Sequence, residues 1–262
     1  MLDEPRSGRL VAWGNALLAG LAAPDDVAQQ IIASDAVHRI SGLPGEQGPV
    51  GLTLGLGRLR AVGVTGLRLA LPVAGHPLGL SGPPEFNARA MAAGQAALTV
   101  GKVTLGLVPE VHEAGPAGDV HVEVEWQCLP VRDAPPADVP SLGEAERELA
   151  EALRDATDAL AELDVAGAGP AAQAALEAYR ARAARGREVL APGYPPRAVR
   201  VLELAQRVAA LVEMAADGHG GAVSASQIAA RAELLRPVER TARRAQVAAY
   251  NAYVEESEPR GF

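Results

Sequence analysis

The chain has one cysteine, one lysine and few aromatic residues, and each scarcity excludes something. A lone Cys128 closes no disulfide within the chain and builds no multi-cysteine zinc knuckle. It lies in the apolar–polar alternation VHVEVEWQCL and is expected to be a small buried strand residue. A catalytic thiol needs a neighbouring base, and the sequence places none beside it. Aromatics are only 3% of residues against 48% apolar, so the core must be built from Leu, Val and Ala. Lys102 stands alone beside 23 arginines. With the abundant Ala, Gly and Pro, this marks a GC-rich genome, and the bias reads as codon usage before function. Basic excess is absent too: a net charge of −8 argues against bulk attraction to nucleic acid or anionic lipid. No apolar run reaches the roughly 18–20 residues of a membrane span, so none is expected. The segment from Leu10 to Ala23 has the apolar look of a secretory signal. Asp3 and Glu4 spoil the basic leader, however, and Gly14-Asn15 interrupts the stretch. Leu10, Trp13, Leu17 and Leu21 recur at helical spacing, which predicts an amphipathic first helix.

What is present changes texture along the chain. In the front half, short apolar runs alternate with turns. A second helix is expected over PDDVAQQIIASD, with Pro24 and two acids in its opening turn. Strands are expected at VHRIS, GLRLALPV, QAALTVG, KVTLGLVPEVH and, most clearly, DVHVEVEWQCLPV. EFNARAMAAG reads as a short helix. The segment 49–63 fits both periods: Val50, Leu52, Leu54 and Leu56 alternate, while Leu52, Leu56 and Leu59 fit a helix, which is the reading preferred. VRDAPPADVPS then reads as a linker. Beyond it, Ala, Glu, Arg and Leu recur at helical spacing. Four helices are expected: one capped by Ser141 with Glu144 as its box partner, one over 171–190, one over 197–216, and one from Ser224 to Glu255 that Pro237 should kink or split. The predicted fold is therefore an α/β or α+β domain with a small mixed sheet of three to five strands over 1–134, a linker over 135–141, and an all-α antiparallel helical bundle over 142–262.

Three places are candidates for function. The first is HPLGLSGPPEFNARAM, where a buried strand ends and a helix begins. Ligands of α/β sheets bind beyond strand ends, and a helix start offers free N–H groups. His76, Ser81, Glu85 and Asn87 are its candidate ligand-binding residues. The competing reading is a turn made by Gly and Pro, and the glycines follow neither a phosphate-loop nor a dinucleotide spacing. The second is the hairpin joining PEVH to DVHVEVEW. If paired residues sum to 231, His112 meets Asp119 and Glu110 meets His121, a chemically possible Zn or Mn set. The competing reading, which is preferred, is the wet face of a half-buried sheet. The third is charge segregation: Glu144 to Asp164 carries net −6 and Pro170 to Val254 net +5. Arg236, Arg240, Arg243 and Arg244 crowd one helix, and Arg180, Arg182, Arg185 and Arg187 another. They form either a partner surface for protein or nucleic acid or, the preferred reading, the basic counterpart of the acidic helix. Of the isolated residues, Trp13 and Trp126 are expected in the core, His38 on a strand surface, His219 in a turn, and Tyr179, Tyr250 and Tyr253 at helix edges with wet hydroxyls.

RLRAVGVTGLRLALPV, HPLGLSGPPEFN, GLVPEV and ELLRPVERTARRA resemble segments of a set of uncharacterised proteins from GC-rich actinobacteria. The resemblance implies a bacterial cytoplasm. No activity is attached to that set, so it carries over no functional residue. No GxSxG, no DFG-like motif and no orderable Ser-His-Asp set is present. The leading expectation is a cytoplasmic protein-interaction or scaffold protein without catalytic activity or cofactor, binding a protein partner or itself. The alternative is a small-molecule-binding protein or enzyme using loop 76–87. A nucleic-acid-binding protein using the Arg-rich helices is the remaining class.

Overall fold

The computed structural model of the chain describes residues 4–116, 119–162, 190–217 and 225–257. They form two compact units. A sheet unit holds 4–139, 190–195 and 250–257. A helical unit holds 140–162, 196–217 and 225–249.

In the sheet unit, helix α1 (Arg6–Leu18) is followed by α2 (Pro24–Ile32), which starts on proline with Asp25 and Asp26 in its first turn. Strand β1 (Val37–Ser41) comes next, then the two-residue β2 (Val50–Gly51) and helix α3 (Leu52–Ala61). The ambiguous segment therefore begins as a strand and continues as a helix. Strand β3 (Val64–Ala70) leads through a long loop to α4 (Pro84–Ala93), which ends on Gly94 in the left-handed conformation. Strands β4 (Ala96–Gly101), β5 (Leu105–Ala114) and β6 (His121–Pro130) complete one mixed six-stranded sheet, ordered β2-β1-β6-β5-β4-β3. Only β1 and β6 run parallel. The expected sheet is thus mixed, but larger than the three to five strands predicted.

Alternation along the strands sends Ile40, Leu67, Leu69, Ala97, Leu107, Trp126 and Cys128 to one face, where α1 and α3 pack. A Cβ on Gly14 would stand 2.5 Å from Leu67 Cδ1, so glycine lets α1 lie close against β3. The other face carries Ala70, Ala96, Leu98 and Val108 under Phe86 and Ala90 of α4, and the Phe86 ring lies directly over Gly106. Phe86 is one of two phenylalanines in the chain, and it anchors this smaller core.

Strand β3 is the sheet's edge, yet the groups on that edge are not bare. Asn15 of α1 donates from Nδ2 to the Leu67 carbonyl (3.0 Å), and its Oδ1 accepts the Leu67 N–H (2.7 Å). Two residues along, Asn251 treats Leu69 the same way, at 3.2 and 2.6 Å. Both asparagines are buried. Each side-chain amide reproduces the donor–acceptor pair of a neighbouring strand. Tyr194, also buried, donates its hydroxyl to the Tyr250 carbonyl (2.9 Å) and accepts from Asn15 Nδ2 (3.5 Å). Tyr250, expected at a wet helix edge, is wholly buried, and its hydroxyl donates to Glu4 Oε1.

In the helical unit, α5 (Leu142–Glu162) packs on α6 (Pro196–Asp217). Helix α7 (Ala225–Ser257) runs unbroken through Pro237, and from Tyr250 its residues belong to the sheet unit. Ser141 and Glu144 form the predicted box: the Ser141 N–H and Oγ–H both donate to Glu144 Oε2 (2.9 and 2.7 Å), and the Glu144 N–H donates to Ser141 Oγ (3.4 Å). These bonds hold the exposed Glu144 carboxyl below its ordinary range. The all-α antiparallel bundle expected over 142–262 is corrected. Among the described residues this region has three helices rather than four, and the segment Leu190–Pro195 and the end of α7 are built into the sheet unit. Periodicity identified helices with a face to bury but not what would bury it. The expected helix over 171–190 except its last residue, Tyr179, the arginines 180, 182, 185 and 187, and His219 lie outside the described residues.

Replacing Asn15 or Asn251 with Ala strands a buried N–H and a buried C=O, and should cost ~2–5 kcal/mol at either site. Both tryptophans, Trp13 and Trp126, lie in the sheet unit, so fluorescence-monitored urea unfolding reads this loss directly. A loss below about 0.5 kcal/mol at both positions would mean that the amides do not close the edge.

Candidate functional site

The loop after β3 is tied down by the segment that follows β6. The Gly79 N–H donates to the Ala137 carbonyl (2.7 Å) and the Arg132 N–H to the Gly82 carbonyl (3.3 Å). Within it the four candidate residues do not converge. His76 Nδ1 lies 3.9 Å from Asp138 Oδ2. The Ser81 hydroxyl donates to the Arg132 carbonyl at 3.5 Å. Glu85 pairs with Arg89 one turn along an exposed helix face, at 3.4 Å. Asn87 turns back and accepts the Gly82 N–H through Oδ1, at 3.0 Å. Ser81, alone of the four, lines the shallow cavity of about 160 Å³ on the α4 face of the sheet. Arg68, Leu98, Thr104, Arg132 and Asp133 line it with Ser81.

The β5–β6 hairpin forms a projecting arm. Residues 105–109 of β5 are buried and 110–114 are exposed, and His121 at the start of β6 is exposed as well. The pairing is Glu110↔Glu125, His112↔Glu123 and Ala114↔His121. The register that joined Glu110 to His121 and His112 to Asp119 is therefore corrected. Strand β5 continues to Ala114, and the chain turns only from Gly115, whose φ is +115°. The shift is an even number of residues, so the predicted shared face survives while the predicted neighbours do not. His121 Nε2 lies 3.6 Å from Glu123 Oε1, and Arg39 Nη1 donates to Glu123 Oε2 at 3.1 Å. Gln127 donates to both Glu110 and Glu125. Among the described residues no three of His, Cys, Asp and Glu gather as ligands for a metal.

The arginines of α7 are largely matched by acids. Arg236 pairs with Glu233 (2.9 Å), Arg243 with Glu239 (2.6 Å), and the half-buried Arg244 with Glu148 of α5 (3.2 Å). Arg240 is exposed on the same helix. Glu146 of α5 likewise holds Arg197 of α6.

A cluster that sequence reasoning missed sits under the start of β1. Asp35 Oδ1 and Oδ2 accept Arg6 Nη2 and Nε, both at 2.8 Å, in a two-pronged pair. Arg9 Nη2 donates to the same carboxylate at 3.3 Å, and its Nε donates to the Ile31 carbonyl. His38, expected on a surface, is 1% exposed. Trp126 Nε1–H donates to His38 Nδ1 at 3.3 Å, so the ring proton sits on Nε2 and points to Asp35 Oδ2, 3.0 Å away. Burial drives His38 below its ordinary value, against the Asp35 bond that favours the charged ring. Burial pushes the Asp35 carboxyl up, but the bonds from Arg6 and His38 together hold it below its ordinary value. The available signal was spacing: Arg6 and Arg9, like Asp35 and His38, stand three apart. The cluster is saturated internally and presents no nucleophile. Cys128 is buried, and burial alone pushes its thiol up to about 11, far from a reactive thiolate.

Together these features define a mixed-sheet α/β unit with a projecting hairpin, followed by helices that carry several ion pairs. The chain belongs to the Rv1486c-like protein family: the family's N-terminal domain matches residues 7–141 and its C-terminal domain residues 143–247. It is 32% identical over 284 residues to "Uncharacterized protein Rv1486c" of Mycobacterium tuberculosis, covering 95% of this chain and 97% of that protein. It is 31% identical over 296 residues to "Uncharacterized protein ML1804" of Mycobacterium leprae, with the same coverage. The resemblance to uncharacterised actinobacterial proteins is thereby established. No solved structure matches the chain.

The buried cluster makes stability depend on pH. As pH falls through 6.5, the ordinary value, His38 in the unfolded chain takes a proton while the folded ring does not. Stability is therefore full above that pH and is lost below it, as pH falls toward the folded value. Asp35 adds a loss of the same sign in stronger acid. In His38→Gln the amide has a donor for Asp35 and an acceptor for Trp126. This variant should flatten the decline that begins just below pH 6.5 in urea melts. Identical slopes for the two proteins over that decline would remove His38 as the cause.

Proposed function

We propose that the protein is a cytoplasmic protein-interaction or scaffold protein that works without catalysis, and that the β5–β6 arm is the part that reaches its partner. The observation that carries this reading is the arm itself. It projects exposed residues on both faces, including Val111 and Val120, which are 39% and 50% exposed. Two valines so exposed at the outer end of one hairpin are apolar contact area that a partner can cover. The buried ionisable groups support the same reading, because Asp35, His38, Arg6 and Arg9 are bonded to one another rather than aimed into a cavity. Among the described residues no helix is long and apolar enough to cross a membrane. Mild chemical cross-linking in native extract should trap the protein in a larger species. Replacing residues 112–121 with a short turn should abolish it. A protein that stays a clean monomer under those conditions would defeat the reading.

A second reading has one observation behind it. Ser81 of the candidate loop shares its cavity with Arg68 and Arg132, whose two positive charges exceed the one negative charge of Asp133 in the same lining and suit a small oxyanion or carboxylate. At about 160 Å³ the cavity is below the size of typical cofactor sites, so the ligand would be a small one. A thermal-shift screen of phosphate and small carboxylates tests it. A reproducible rise that is lost in Arg68→Ala supports this reading, and the absence of any rise ends it.

A further inference from the structure

We propose that the arm's partner is a second copy of this chain, added edge to edge along β5. This inference rests on the interaction reading above. It starts from an unfilled strand edge. Strand β4 pairs with β5 only at Leu107 and Gly106, because β4 begins at Ala96, where the chain emerges from α4. From Pro109 to Ala114, β5 has β6 on one side and no strand on the other among the described residues. These residues are exposed from Glu110 onward.

The direction of each backbone group on this edge follows from two bonds lower in the strand. The Leu105 N–H points toward β4, where it donates to Thr99 Oγ1 at 2.8 Å. The Thr104 carbonyl points the other way and accepts the Val131 N–H at 3.2 Å. The β5–β6 register runs without a shift from Leu105 to Ala114. Alternation then turns the backbone groups of Leu107, Pro109, Val111 and Glu113 to the β4 side. The open edge therefore offers the N–H and C=O of Val111 and Glu113 and the C=O of Pro109. Proline's missing N–H falls on the side where no internal bond is lost, which is where edge strands tolerate it.

Carboxylate repulsion narrows the register. Pairing two copies antiparallel about a two-fold axis at Val111 sets Glu110 opposite His112 of the second copy, and Glu113 opposite Pro109. Centring on Glu110 or on Glu113 would set like carboxylates face to face, which destabilises a strand pair. With the axis at Val111, each Val111 N–H donates to the other Val111 carbonyl, and each Glu113 N–H donates to the opposite Pro109 carbonyl. The half-exposed Val111 side chains meet at the axis. The result is one sheet continuous through both copies, the isologous contact that a two-fold axis demands.

The test is sedimentation equilibrium on the purified full chain at high micromolar concentration. The expected result is a dimer for the wild type and a loss of association of at least tenfold for Val111→Pro. That substitution removes an edge N–H and no bond to β6. A folded Val111→Pro, judged by an unchanged tryptophan spectrum, is required for the comparison. Independently of that variant's folding, mixing Glu110→Cys protein with His112→Cys protein under mild oxidation should give a disulfide-linked dimer that neither gives alone. Facing residues in that register are within disulfide reach. A monomeric wild type, a dimer indifferent to Val111→Pro, or no mixed disulfide overturns the second-copy proposal. If the chain is monomeric yet native extract still yields a cross-linked species that depends on the arm, the interaction reading stands and only the partner's identity falls. If neither appears, both fall.

Discussion

A strand at the end of a sheet has hydrogen-bonding groups with nothing to bond, and burying them unpaired costs more than most side-chain contacts return. In this protein that constraint is met at β3 by two asparagine side chains. Asn15 and Asn251 each offer a donor and an acceptor at the spacing of a peptide group, to Leu67 and Leu69, which point the same way along the edge. Much of the sheet unit's anatomy follows. Helix α1 has to lie near enough for Asn15 to reach Leu67, and Gly14 permits that approach. The end of α7 has to belong to the same unit, since Asn251 is one of its residues. Leu190–Pro195 brings Tyr194 to the Tyr250 carbonyl and the Asn15 amide, which holds the two capping helices to a common partner.

The Asp35 cluster does similar work at the other end of α1. Buried charge is costly unless it is matched, and a carboxylate that receives a two-pronged arginine, a second arginine and a neutral histidine is matched on every side. The groups come from α1, the turn before β1, β1 itself and β6. A cluster of this kind contributes less to net stability than to specificity: removing any member leaves another charge or donor stranded. It explains why the parallel pairing of β1 with β6 is held in one register, because only in that register does Trp126 meet His38 Nδ1. The chemistry of the cluster is fully consumed by its own partners, which is why it reads as structure rather than as a catalytic site.

Local signals in the chain were legible and long-range ones were not. Pro24, Pro84, Gly94 and the Ser141–Glu144 pair mark helix ends because capping is decided within a few residues. Strand alternation gave the wet and dry faces of β6 correctly, since side-chain direction has a period of two whatever the neighbours are. The register of the hairpin was not available, because turn length sets it and alternation is blind to an even shift. His38 looked like a surface residue because VHRIS alone does not reveal Trp126 of β6, 88 residues away, on its flank. Asn251 and Tyr250 looked like helix-edge residues for the same reason: 182 residues separate Asn251 from Leu69. Of the candidate ligand residues, only Ser81 lines the shallow cavity. Asn87 serves the turn, accepting the Gly82 N–H of its own loop. Helical periodicity in the rear of the chain predicted helices and then overreached to a bundle.

The outward backbone groups of β3 and of the outer half of β5 are treated differently, and the difference separates a closed edge from an open one. At β3, side-chain amides fill the edge and bury it. At the outer half of β5, nothing among the described residues fills it. Proteins usually blunt an open edge with lysine, proline or a bulge. Here the only lysine, Lys102, lies between β4 and β5 rather than on the arm, and no bulge interrupts β5. The defence is thin: one proline and alternating charge. Like carboxylates resist being set face to face, so Glu110 and Glu113 disfavour some registers of a two-fold copy and leave the one centred on Val111 open. An edge with its N–H and C=O groups aligned, a valine at its centre and glutamates at 110 and 113 is poorly guarded against pairing, yet it disfavours the registers that set carboxylate against carboxylate.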